Sequence, residues 1–126
     1  MKVAYLDTSC VAAIEFSEPG GAAMKRRLTA FDQLVSSNLL EAELRSVCHR
    51  EGRAVPLRLV DSVVWIHPAR ALSQEIERVL AAGYLRGGDC WHVATALFAA
   101  LSMSELHFLT LDVQQARVAR ALGFPA

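Results

Sequence analysis

Asp7, Glu43, Asp89 and Asp112 are the side chains best placed by type and context to do chemistry. They are far apart along the chain, yet each sits among apolar residues or at the end of a strand-like or helix-like run. Asp7 closes the run Val3-Ala4-Tyr5-Leu6, and Asp112 follows Leu106-His107-Phe108-Leu109-Thr110-Leu111. Ligands of an open α/β sheet bind beyond the carboxyl ends of its strands. Carboxylates gathered there repel one another unless a cation neutralises them. Hard divalent cations take such oxygen ligands and keep several waters. The first expectation is an acidic pocket for Mg²⁺ or Mn²⁺.

Each acid also has a plainer use. Asp7 could cap a helix, but Thr8 and Ser9 follow it and could cap the same helix themselves. Glu41 and Glu43 share a helix and lie on different rows. Glu41 has Ser37 before it and Arg45 after it, a solvated row with a favourable acid-to-base pair. Glu43 lies between Leu39 and Val47, where a carboxylate is costly unless paired, metal-bound or turned out to water. Asp89 follows Gly87-Gly88 and could be a helix cap, and a helix N-terminus favours a carboxylate in either role. His92, one turn later, could act as a base, although a histidine hydrogen-bonded between packed helices is the commoner case. Asp112 reads as the cap of a last helix. Its matched placement with Asp7 at two strand ends is the stronger point.

Alternating strands and helices must position these acids. Strands are expected at residues 2–6, Gln33–Ser36, 63–67 and 106–110. Helices are expected from Thr8 or Ser9 to Phe16, from the turn at 17–21 to Thr29, and from Ser37 or Asn38 to about Arg50. Further helices are expected from Pro56 to Ser62, and over 70–82, 89–101 and 113–122. Such alternation implies βαβ units and a mainly parallel sheet.

The chain has 126 residues, enough for one domain with a real core, so 1–126 reads as a single unit. A hydrophobic share of 53% excludes disorder. The longest apolar run, Val93 to Leu101, falls far short of the about 18 residues of a membrane span. The first residues lack the apolar stretch of a signal peptide, so a cytoplasmic protein is the default. Cys10, Cys48 and Cys90 are odd in number and have no CxxC spacing, which points to free core thiols. Thirteen basic and thirteen acidic residues cancel, so no global field draws nucleic acid. Any such contact needs local clusters, Lys25-Arg26-Arg27 or Arg45 with Arg50 and Arg53.

Four segments together resemble the PIN-domain family, and within it the VapC-type toxins of type II toxin–antitoxin pairs. They are Val3-Ala4-Tyr5-Leu6-Asp7-Thr8-Ser9, Ser36-Ser37-Asn38-Leu39-Leu40-Glu41-Ala42-Glu43-Leu44-Arg45, Leu85-Arg86-Gly87-Gly88-Asp89-Cys90-Trp91-His92-Val93-Ala94-Thr95-Ala96, and Phe108-Leu109-Thr110-Leu111-Asp112. The resemblance implies a three-layer α/β fold with a central, mainly parallel sheet flanked by helices. It implies Asp7, Glu43, Asp89 and Asp112 as catalytic, metal-binding acids for Mg²⁺ or Mn²⁺. It implies that the hydroxyls of Thr8, Ser9 or Thr110 order metal water or substrate phosphate. The implied activity is metal-dependent cleavage of RNA, and the implied partners are a second copy of the chain and a small separate antitoxin. Two departures concern the segment from Gly52 to Pro68, short for the family's helical clip, and the few residues after Gly123, which leave little room for a final edge strand.

Two other readings compete. A PIN-like module could capture partners without catalysis. An Asp-phosphorylating α/β domain is the third choice. Ser9 stands where a dehalogenase-type phosphatase wants a second Asp, and the only lysines, Lys2 and Lys25, fit a receiver domain poorly.

Overall fold

The computed structural model describes residues 1–125. Among them the order is β1 (Val3–Leu6), α1 (Thr8–Glu15), α2 (Gly21–Leu28), β2 (Gln33–Ser37), α3 (Leu39–Arg50), α4 (Leu57–Ser62), β3 (Val63–Ile66), α5 (Ser73–Ala82), α6 (Gly87–Ala100), β4 (Leu106–Leu109) and α7 (Val113–Ala121). The four strands form one parallel sheet in the order β3-β2-β1-β4. Parallel neighbours need crossover connections, and the helices supply them.

Side chains alternate across a strand, and β1 shows the consequence. Val3 and Tyr5 enter one core with α5, α6 and α7, through Val79, Val93, Leu97 and Val118. Ala4 and Leu6 enter the other with α1 and α3, through Val11, Leu40, Leu44 and Cys48. All four residues of β1 are buried, as a strand covered on both faces must be. The register pairs Tyr5 with Val35 and Phe108, and Leu6 with Leu109. The ends of β1 and β4 are thereby level, and Asp7 N–H donates to Leu109 O at 3.0 Å.

Several boundaries differ from the sequence expectation. α1 starts at Thr8, so Asp7 itself is the cap: its side chain accepts from Ser9 N–H. α6 starts at Gly87, with Arg86 at the cap position, so Asp89 lies inside the first turn. α5 starts at Ser73 rather than residue 70, and Arg70 turns back onto Glu75 in its first turn, with bonds of 3.0 and 2.6 Å. α4 has only six residues, in line with the short clip expected. β4 is an edge, and no strand follows it among the described residues. Cys10, Cys48 and Cys90 are free and buried, as expected.

Candidate active site at the carboxyl edge of the sheet

Asp7 is buried at 4% exposure, and each of its carboxylate oxygens is held by a hydrogen bond. Its Oδ2 accepts from Ser9 N–H at 3.0 Å and faces Thr110 Oγ1 at 3.3 Å. Its Oδ1 accepts from Gln115 Nε2 at 3.1 Å. Gln115 is fully buried and also donates to Asp89 O at 3.3 Å. A threonine hydroxyl has one proton to give. Thr110 lies 2.6 Å from Gln115 Oε1, so its proton goes there rather than to the longer Asp7 contact. Gln115 thus ties α7 to the ends of β1 and β4 and to the start of α6.

Glu43 projects from α3 and is partly buried. Its Oε1 accepts from Thr8 Oγ1 at 2.7 Å and lies 2.9 Å from His92 Nε2. His92 is fully buried and its Nε2 also lies 3.9 Å from Asp7 Oδ1. The hydrogen bond from His92 holds the Glu43 carboxyl below the usual carboxylate range against partial desolvation, with Thr8 adding to it. With its side chain 38% exposed, Glu43 is an edge position whose Oε1 is nevertheless held by His92 and Thr8.

Asp89 contrasts with both. Its carboxylate has no protein hydrogen-bond partner among the described residues, and it caps nothing. Burial first, then the charges of Asp7, Asp112 and Glu43, push it above the usual carboxylate range. Asp112 is exposed and caps α7, accepting from Gln115 N–H at 2.7 Å. Asp7, Glu43 and Asp112, from three separate elements, therefore all lie within electrostatic reach of Asp89. Ser9 and Thr110 stand together at 3.2 Å, and Leu111 N–H donates to Ser9 Oγ. Thr8 is turned instead to Glu43 and His92.

The donor set fits a hard divalent ion in chemistry: several carboxylates and hydroxyls, with no thiolate. Cys10 is raised to about 12 by burial and then by the charge of Asp7, so it stays a thiol. Yet among the described residues no three His, Cys, Asp or Glu side chains converge closely enough to chelate an ion by themselves. What fits is an ion held by one or two carboxylates, with water completing the shell, as Mg²⁺ commonly is.

Sequence reasoning missed Gln115 and underrated His92. Gln115 interrupts the row Val118-Ala119-Leu122 of α7, the same signal that marked Glu43. Glu41 behaves as expected, pairing with Arg45 at 2.8 Å. Arg50 and Arg53 are drawn to Glu51 and Glu15, which leaves Lys25-Arg26-Arg27, exposed at the end of α2, as the basic cluster without acidic partners among the described residues.

A three-layer parallel α/β domain with carboxylates gathered at the strand ends defines the class. The sequence model of the PIN domain matches residues 4–121, and the chain belongs to that family. PIN domains are commonly metal-dependent nucleases. No curated protein and no solved structure matches the chain.

Proposed function

We propose that the chain is a divalent-metal-dependent endoribonuclease, acting as the toxin of a toxin–antitoxin pair. One observation carries the reading. Among the described residues the Asp89 carboxylate has no hydrogen-bond partner, and burial, then three carboxylates from other elements, raise the cost of its charge. A fold does not keep that cost for stability, and a cation removes it. Asp7 and Asp89 are our choice for direct ligands of Mg²⁺ or Mn²⁺, with Glu43 and Asp112 binding directly or through water.

A bound divalent ion supplies a nucleophile near neutral pH and stabilises charge on the phosphate. The chain's own groups do the rest. Gln115 and Ser9 N–H hold Asp7 in one orientation. Glu43 orients the attacking water and takes its proton. The Ser9 and Thr110 hydroxyls order water or substrate phosphate beside Asp7. Single-stranded or looped RNA is the expected substrate, because its bases are accessible. The antitoxin and a second copy of the chain are the expected partners, and exposed Leu80 and Tyr84 beside the groove of Ile76, Leu85 and Trp91 offer apolar surface for one of them.

A non-catalytic binding module is the second reading, favoured by the absence of three converging ligands among the described residues. Purified chain, freed of antitoxin, is assayed on a pool of structured RNAs with Mg²⁺, Mn²⁺ or EDTA. Cuts that need metal and vanish in Asp7→Asn and Asp89→Asn support the nuclease. Tight Mn²⁺ binding without cutting supports the binding module. Full activity in either variant removes that acid from the site. Growth arrest on expression, relieved by a neighbouring small reading frame, tests the toxin role.

A further inference from the structure

Behind Glu43 runs a chain of hydrogen bonds that the acids alone do not require. Ser37 N–H donates to Tyr5 Oη at 3.0 Å. Tyr5 Oη lies 2.9 Å from His92 Nδ1, and His92 Nε2 lies 2.9 Å from Glu43 Oε1. Tyr5 and His92 are both fully buried. The chain crosses from β2 through β1 and α6 to α3.

Proton bookkeeping gives it a direction. Tyr5 accepts from Ser37 and keeps one proton of its own, which His92 Nδ1 at 2.9 Å is placed to accept. Burial keeps that phenol protonated. Nδ1 is then an acceptor, and Nε2 carries the imidazole hydrogen. The other end agrees independently, because a carboxylate oxygen only accepts and would face a bare lone pair if Nε2 had no hydrogen. Glu43 Oε1 therefore receives His92 Nε2–H and the Thr8 hydroxyl together. Oε1 is thus held by two donors that sit side by side. Oε2 remains, and it lies 3.5 Å from where a Cβ on Gly88 would stand, next to Asp89.

We propose that His92 is a positioning residue: with Tyr5 behind it and Thr8 beside it, it holds Glu43 Oε1 and turns Oε2 toward the metal or its water. The proposal rests on the nuclease reading for its kinetic consequences, whereas the proton pattern stands without it. Outer groups that orient metal-site ligands typically change affinity or activity 10–100-fold when lost.

The test uses the full chain with Mn²⁺ calorimetry, cleavage kinetics and ¹⁵N spectra of the histidine rings. His92→Leu is expected to weaken Mn²⁺ binding or kcat about 10–100-fold and to leave KM for RNA unchanged. Tyr5→Phe is expected to cost less, and His92→Gln, which keeps an N–H donor, to restore part of the loss. In a Glu43→Gln background His92→Leu is expected to cost nothing further. The wild-type spectrum should show His92 as the Nε2–H tautomer, and Tyr5→Phe should keep that tautomer while shifting the Nδ1 signal as its hydrogen bond is lost. An equal loss in both backgrounds means a general structural role and overturns the proposal, as does an Nδ1–H tautomer in the wild type. Wild-type protein that neither binds Mn²⁺ nor cuts RNA sinks the nuclease reading instead, and the spectra still decide the hydrogen-bond pattern. Circular dichroism of His92→Leu separates unfolding from lost positioning, and His92→Gln keeps the test open if the leucine variant does not fold.

Discussion

Asp112 separates two jobs that one carboxylate can do. As the cap of α7 it accepts from Gln115 N–H, and replacing it with Ala should cost about 0.5–2 kcal/mol. Asp112→Ser keeps a capping oxygen without the charge. It should hold the denaturant midpoint near wild type while lowering Mn²⁺ affinity. An unchanged affinity would restrict Asp112 to capping. Gln115 carries a comparable structural load from inside the protein. Gln115→Met fills similar space but leaves Asp7 Oδ1 without its hydrogen-bond donor. We expect a loss of about 1–3 kcal/mol by urea denaturation, with weaker metal binding because Asp7 loses its brace.

At the scale of elements, the helices that frame the site depend on close approach. Gly21 opens α2 directly over α1, where a Cβ would meet the carbonyl of Ala13. Main chain cannot yield as a side-chain tip can, so Gly21→Ala should push the two helices apart. Overpacking of this kind costs about 1–3 kcal/mol, and a thermal midpoint equal to wild type would contradict the packing. The start of α5 depends on charge instead. Arg70 grips Glu75 with both guanidinium nitrogens and rests on the Phe98 ring. That bond holds Glu75 below the usual carboxylate range. A depressed carboxylate stabilises the fold above its unfolded pKa and loses that contribution as pH falls through its folded value. Acid unfolding of Glu75→Gln should therefore lack one component that the wild type shows, a modest one because Arg70 is half exposed.

For the whole molecule, the acidic edge costs stability while it is empty of cations. Asp89 is raised, so its sign is opposite to that of Glu75. Its ionised form opposes folding above the unfolded pKa, and protonation removes the penalty as pH falls. Metal-free Asp89→Asn should then melt above metal-free wild type at neutral pH, with the gap closing in acid. Mn²⁺ should reverse the order, because an ion that binds only the folded state stabilises it by about 2.7 kcal/mol at a hundred times its Kd. Differential scanning calorimetry with and without Mn²⁺ reads both effects. An Asp89→Asn protein less stable than wild type without metal would contradict the repulsion.

Much of this was written in local pattern. The four strands, the order of the helices and the four acids were legible because apolar periodicity and strand-end position are properties of short segments. Glu43 was legible as a charge in an apolar row. Tertiary structure decided the pairings between segments. Asp89 proved not to be a cap, because α6 begins two residues earlier than the glycines suggested. His92 proved to be the link between β1 and α3, and Gln115 the link between α7 and Asp7. Sequence spacing carries no trace of a hydrogen bond spanning 87 or 108 positions. Such bonds exist only after the sheet has set the register that brings those positions level.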